Sequence, residues 1–472
     1  MHDETGRGSE PPARLDFCLR GVLGAVFPNG FSGACPESLA GFREAGGRRE
    51  LRMKHDVRMR GFTQRVDVEV VEAFLARRAA TLASESVPLL ECVGRVLAAD
   101  VSAEVDVPGF ARSAMDGYAL RGEQSFGASA YDAIRLRVVG VSLPGNPYPG
   151  CVGVDQAVRI MTGAALPDGA DAVVKAEVCE EADGFVAISE AVAPRKNVGA
   201  IGEDIRRGDR VLARGRRLRP QDAGLLSSIG RAEVDCVRAP RVRLVVTGDE
   251  LLPAGSRPTG HQIVDSNSVV LRGLIARDAG IALPFEILPD QPERIRGAMA
   301  DADADVVLVS GGTSVGQEDH APRLLSELGE LVFHGISMRP SSPTGIGQIE
   351  DRLVFLLPGN PVSCLAAYEF FAGPTIRALG GRSRAWPHRR ARVPLARKIV
   401  SEIGRTDYVR VAIEAGRATP LATSGASILS STVRAAGSVI VARELEGMPE
   451  GEAVEVLLYD DEFVDFGGAG PS

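Results

Sequence analysis

Lysine is nearly missing from this 472-residue chain, which carries it only at Lys54, Lys175, Lys196 and Lys398. No lysine follows a glycine as the Walker A pattern GxxxxGK[ST] requires, so that mode of nucleotide binding is excluded. No GxGxxG opens a helix either, which removes the standard dinucleotide fingerprint. The seven cysteines (Cys18, Cys35, Cys92, Cys151, Cys179, Cys236, Cys364) are odd in number and never spaced CxxC. That scatter argues against a zinc ribbon, a thioredoxin-like pair and a secreted disulfide scaffold. The six histidines form no HExxH. No apolar run reaches the ~18 residues that span a bilayer. The most hydrophobic N-terminal stretch, 17–27, is broken by Arg20 and lacks a convincing cleavage site. A formal net charge of −8 disfavours general binding to nucleic acid or anionic lipid. The expectation is a cytoplasmic protein with no nucleic-acid partner and no membrane partner.

What is present is globular. Apolar residues make up 44% of the chain and charged residues 25%, a balance that excludes disorder as the dominant state. At roughly 150 residues per domain the length suggests about three domains. Residues 1–62, rich in Gly, Arg and Pro and without period, read as a disordered or mis-started extension rather than a functional arm. Residues 66–84 show helical spacing, with Val70, Val71, Phe74, Leu75 and Ala79 on one stripe. Residues 63–104 and 207–240 form a linker domain, the second piece reading as strand, proline-started helix and strand. Between them, 105–206 holds short apolar runs at 134–141, 157–161 and 172–174, separated by glycine and proline, which suggests a β-rich insert.

The strongest fold signal lies in 241–383. Apolar strands are expected at 242–246, 281–288, 306–309 and 353–357. Helices are expected from Ser266 or Asn267 through Ala279, with Gly280 ending it, and at 292–302, 322–328 and 362–379. Strands alternating with helices imply a parallel sheet covered on both faces, with ligands beyond the C-terminal strand ends. Residues 384–460 alternate as a compact all-β domain, with strands at 408–413 and 454–458, and 461–472 form a loose tail.

Three polar loops fall at those strand ends. Ser310-Gly311-Gly312-Thr313-Ser314-Val315-Gly316 leaves a buried strand with three glycines and can turn its N–H groups toward an anion, with Asp319 just beyond. Pro358-Gly359-Asn360-Pro361-Val362-Ser363 opens a helix whose N–H groups, with the Ser363 hydroxyl, can hold phosphate. Asp249 and Glu250 end a third strand, and carboxylates beside phosphate loops call for a bridging cation such as Mg²⁺. The glycine loop alone also fits a tight strand–helix turn, and the Asp249-Glu250 end a solvated acidic turn. A remote alternative is a GxSxG serine hydrolase built on Ser314, Asp351 and His388. It is weak because the helix after Ser314 starts too late for a sharp nucleophile elbow.

Longer blocks carry more information. VPGFARSAMDGYA (107–119), IMTGA (160–164) with LPDGADAVV (166–174), GEDIR (202–206) with Gly208-Asp209, TGDEL (247–251), SGGTSVG (310–316) and LPGNPVS (357–363) occur in this order. Together they resemble the signatures of the molybdopterin molybdenumtransferases, the MoeA and gephyrin E-domain family, over about residues 64–460. The resemblance implies a multidomain α/β fold. Its parts are a Rossmann-like parallel-sheet molybdopterin-binding domain, N-terminal mixed and β-rich domains, and a small C-terminal all-β domain.

It also implies a homodimer that inserts molybdate into adenylylated molybdopterin with Mg²⁺, releasing AMP and molybdenum cofactor. Molybdopterin adenylyltransferase and molybdoenzyme maturation factors are the further partners it allows. By the same resemblance Asp116, Glu250 and Asp319 are catalytic, and Glu250 and Asp319 stand near the metal. Thr162, Arg206, Asp209, Ser310, Gly311, Gly312, Ser314, Gly316, Pro358, Gly359, Asn360 and Ser363 bind or support the substrate. Asp116 and Thr162 are implied to reach the cleft from the second subunit. One block departs: the family's Lys-Pro-Gly-Lys-Pro reads Arg339-Pro340-Ser341-Ser342-Pro343 here. Arg339, Ser342 and Pro343 are thus the expected molybdate loop, with Arg405 or Arg410 expected to replace the lost second lysine in part. The departure keeps two alternatives open, a pterin-binding paralogue with weak or tungsten-directed insertion and a non-catalytic scaffold.

Overall fold

The computed structural model describes residues 65–313, 319–422 and 425–460. All of them belong to the unit spanning 57–472. The expected extension 1–62 and tail 461–472 lie outside the described residues. Among those residues no helix is long and apolar enough to cross a membrane.

The first helix, Val68–Arg78, is shorter than its stripe suggested. Val68, Val71 and Leu75 are buried at helical spacing, while Val70 faces solvent and 84–88 is already a strand. Phe74 meets Phe333 edge to face at 5.3 Å, which ties this helix to the α/β part. Strand Ser84–Pro88 pairs antiparallel with Glu233–Val237, so two pieces far apart in sequence share one sheet. Val87, Cys92 and Leu97 pack with Leu212, Leu218, Leu226 and Cys236 in one core. Between these pieces stands a six-stranded sheet in the order Ala172–Lys175, Gly117–Leu120, Gln156–Ile160, Ile134–Ser142, Phe185–Ile188, Cys179–Ala182.

The α/β part is built on Arg241–Thr247, flanked on one side by Ile281–Ala282 and Ile287–Leu288 and on the other by Val306–Ser310 and then Arg352–Leu357, all parallel. The single strand expected over 281–288 is split into these two short pieces, with Pro284, which has no N–H for the ladder, between them. Two further strands, Gly345–Ile349 and Glu330–His334, extend the sheet antiparallel. Alternation sorts the central strand. Val306 and Leu308 pack with Leu271, Ile275 and Phe371 on one face, Val307 and Val309 with Ile295, Met299, Leu324 and Leu325 on the other. Each such fully buried side chain contributes about 1.5–3 kcal/mol.

Helix Asn267–Arg277 ends two residues earlier than its spacing suggested. Ala279, not Gly280, takes the left-handed conformation (φ +62), and Gly280 N–H donates to Ile275 O at 2.8 Å. Glycine is needed at 280 for a different reason: a Cβ there would lie 2.9 Å from Ile275 and 3.0 Å from Ile376. The last helix of this part is three segments in sequence, Pro361–Ala367, a π turn Tyr368–Ala372, and Gly373–Leu379.

The C-terminal part is a β-sheet of Thr406–Glu414, Gly437–Val441, Ala453–Leu458 and Arg390–Pro394, with Arg417–Ala422 on the first of these. Its edge partner comes from the α/β part: Met338–Arg339 runs parallel to Thr406–Glu414. The expected molybdate loop therefore sits on the seam between the two.

Candidate active site

A cavity of about 630 Å³ opens beyond the C-terminal ends of Arg241–Thr247, Val306–Ser310 and Arg352–Leu357. Glu250, Ser310, Gly311, Gly312, Asp319, Pro343, Pro358, Gly359 and Asn360 line it, so the structure brings together nine of the expected site residues. Ser314 and Gly316 lie outside the described residues. Gly311 (φ +102) is required because a Cβ would stand 2.2 Å from the Thr247 carbonyl oxygen. Thr313 Oγ1 donates to Leu357 O at 2.9 Å, and His334 Nε2 donates to Thr313 O at 3.2 Å. Burial pushes the His334 ring below its ordinary range, against the raising effect of the Thr313 bond and of Asp319.

One organising residue escaped the sequence reading in that role. Asn267, weighed there only as a helix cap, donates its amide to Ser310 Oγ at 2.9 Å and to Gly359 O at 2.8 Å. One side chain thus fixes the distance between the two glycine loops. A lone Asn before an apolar run carries no signal that separates this task from capping.

The cavity's charge is one-sided. Glu250, Asp265, Asp290 and Asp319 line it, and no lysine or arginine does among the described residues. Thr247 Oγ1 is buried there with no hydrogen-bond partner among the described residues. Carboxylates and an orphaned hydroxyl beside inward-turned backbone suit a divalent cation carried in with phosphate oxygens. Among the described residues no three His, Cys, Asp or Glu are grouped to hold a metal alone.

Family models cover most of the described chain. They are the MoeA N-terminal region (domain I and II) over 66–230, a "Probable molybdopterin binding domain" over 243–378, and the MoeA C-terminal region (domain IV) over 392–459. The chain belongs to the MoeA family. A molybdopterin molybdenumtransferase of Haemophilus influenzae is 34% identical over 384 residues, covering 79% of this chain and 93% of that protein. One from Staphylococcus aureus is 28% identical over 417 residues, covering 84% and 97%. The solved structure of a molybdopterin biosynthesis MoeA protein from Pyrococcus horikosii superposes with a TM-score of 0.73 at 33% identity, over 84% of this chain and all of that one.

The remaining MoeA-type site residues stand apart from the cavity within one chain. Asp116 accepts from Thr162 N–H at 2.7 Å and Thr162 Oγ1 at 2.8 Å, bonds that hold its carboxyl below the usual range. Arg206 N–H donates to Asp209 Oδ2 at 2.9 Å in the turn where the insert returns to the linker domain. None of these four lines the cavity.

Several expectations need correction. Ser363 is buried and outside the cavity lining, and its carbonyl accepts from Ser341 Oγ. Val362 N–H, one of the helix donors expected for phosphate, donates to Ala426 O at 2.9 Å instead. Of the expected molybdate group only Pro343 lines the cavity. Arg339 is paired with buried Asp407, and Arg405 with Glu402 at 2.9 Å and Asp407 at 3.2 Å. Arg410 is buried against Ser431 Oγ at 2.6 Å. Ser342 Oγ is buried with no hydrogen-bond partner among the described residues. The hydrolase arrangement also fails: His388 Nδ1 donates to Leu458 O at 2.9 Å and its Nε2 faces Glu369 at 3.4 Å, so Asp351 does not orient it.

Proposed function

We propose that this molybdenum cofactor biosynthesis protein inserts molybdate into adenylylated molybdopterin with Mg²⁺, releasing AMP and molybdenum cofactor. The observation that carries the reading is the cavity itself, with glycine-loop backbone on one side and four carboxylates on the other. A pyrophosphate would be repelled by those carboxylates unless a cation came with it. Glu250 and Asp319 would hold Mg²⁺, which supplies positive charge at the phosphate oxygens. The Gly311, Gly312 and Gly359 backbone orients the phosphates, and Asn267 keeps the two loops in register. Water adds to the pyrophosphate bond and AMP leaves. Two molybdate oxygens leave as two waters, taking up the two dithiol protons and two more from solvent, as the two dithiolene sulfurs bind molybdenum.

Asp116 and Thr162 stand outside the cavity of their own chain. In this reading the protein is a homodimer in which they complete the partner's cleft, supported by Arg206 and Asp209. The test is AMP release and cofactor formation from adenylylated molybdopterin with Mg²⁺ and molybdate. Chelating Mg²⁺ should stop both, and Glu250→Gln should lower the rate on the order of 100-fold. Turnover unaffected by either change would sink the proposal. The second reading, tungsten-directed or weak insertion, is favoured by one observation, the neutralised Arg339 beside a serine at 342. A tungstate arm in the same assay decides it: faster turnover with tungstate supports that reading, and slower turnover rejects it.

A further inference from the structure

A second cavity, of about 800 Å³, lies where the linker domain, the α/β part and the C-terminal part meet. Five arginines line it (Arg217, Arg277, Arg377, Arg382, Arg389) against two carboxylates, Asp278 and Asp460. In a chain with net charge −8 such a concentration is not explained by composition.

Its cations divide into two kinds. Arg277 is spent on Glu369 at 2.6 and 2.9 Å and on Asp278 at 2.9 Å. Arg377 is spent on Asp278 at 2.8 Å and on the Ser383 and Arg384 carbonyls. Among the described residues Arg382 donates to no carboxylate, only to Gly94 O at 2.6 Å and Arg277 O at 3.3 Å, although Asp278 nearby favours its charge. The Arg217 side chain has no hydrogen bond or ion pair to any described residue, and it is exposed. Burial first, and then Arg217 itself, disfavour the charge on Arg382. Two guanidiniums that repel each other across a cavity, neither hydrogen-bonded to a carboxylate among the described residues, are a receptor for an anion that both can fork. Trp386, His388 and Tyr459 complete the wall with aromatic surface.

We propose that this cavity is a second anion site that takes a tetrahedral dianion, either free phosphate or the phosphate of a mononucleotide, held between Arg217 and Arg382. It is separate from the carboxylate-lined cavity, with which it shares no lining residue. A ligand there would bridge three parts of the chain at once.

The chain's single tryptophan, Trp386, stands in this wall, so its fluorescence reports occupancy directly. The full chain is titrated with inorganic phosphate and, separately, with AMP, against sodium chloride at matched ionic strength. A saturable change with phosphate or AMP but not with chloride is expected. Arg217→Ala, an exposed position without a partner, should keep the fold and weaken binding about tenfold. Arg382→Lys, which keeps a cation but not the fork, should weaken it as well. AMP binding more tightly than phosphate would assign the site to a nucleotide phosphate, and equal affinities to the free oxyanion. No saturable change, or affinities that Arg217→Ala leaves intact in a folded protein, would overturn the proposal.

Discussion

The cavity at the strand ends is walled by four carboxylates and by glycine-loop backbone, whereas the one at the three-part junction is walled by five arginines. Both suit phosphate chemistry, by opposite means. A guanidinium carries its charge at any physiological pH, so its attraction for an anion is unconditional. A carboxylate wall repels the same anion until a divalent ion reverses the local sign. If both readings hold, affinity and chemistry are placed apart. At the acidic cavity the positive charge would arrive with the substrate, whereas at the junction it stands in the protein as arginines.

The largest expected effect would break the comparison at the acidic side. If one chain's cavity is incomplete alone, Asp319→Asn and Asp116→Asn should each cut insertion on the order of 100-fold or more without lowering the urea midpoint. Mixing the two variants should return part of the activity, because a heterodimer carries one cleft with both carboxylates intact. AMP release that stays at the single-variant level, after mass spectrometry has confirmed subunit exchange, would mean that the clefts are not shared.

That division was only half legible beforehand, and the reason is physical. The strand-end cavity announces itself because each of its loops is contiguous: a buried run such as Val306–Ser310 must end, and it ends in SGGTSVG. The arginine cavity has no such signature. Its cations are drawn from Arg217 to Arg389 and meet only because the linker, the Gly373–Leu379 helix and the C-terminal sheet converge. The same limit hid strands Glu330–His334 and Gly345–Ile349. Gly345 and Gly347 give the second little strand propensity, and it exists because its neighbours need a partner. Asn267 was visible as a residue and invisible as a strut. The pairing of Arg339 with Asp407, 68 positions away and buried, was equally invisible, because no local pattern joins the two.

A smaller effect sharpens the basic side. Glu369, behind the arginine cavity, is almost wholly buried, and burial alone would raise its carboxyl. His388 and Arg277 outweigh that and hold it down at about 2, against an ordinary 4.5. A depressed carboxylate contributes its stability in full above its unfolded value and loses it as pH falls through the folded one. Stability should therefore decline between about pH 4.5 and about pH 2, by roughly 3 kcal/mol from this group. Glu369→Gln should be destabilised at pH 6, where it lacks the ion pair with Arg277, and should show a flatter decline through that window. Urea midpoints at pH 6, 4 and 3 decide the matter. Parallel slopes for the two proteins would remove Glu369 from the account.

The smallest effect concerns Ser342, where the sign of the outcome separates two roles. Its hydroxyl is buried without a partner among the described residues, while the next residue, Pro343, lines the acidic cavity. An unsatisfied buried hydroxyl costs about 1–3 kcal/mol relative to a paired one. Ser342→Ala removes that cost and leaves only a small void, so the ligand-free protein should gain about 1 kcal/mol. If the hydroxyl is kept to bind molybdate, the same variant should need more molybdate for half-maximal insertion while its maximal rate holds. Ser342→Lys, which restores the family's cation, must bring an ammonium out of a buried position and should lose stability, whatever it does for molybdate. A stabilised Ser342→Ala with an unchanged molybdate dependence would reduce Ser342 to a packing residue. It would also leave the acidic cavity without any contribution from the Arg339–Pro343 loop beyond Pro343 itself.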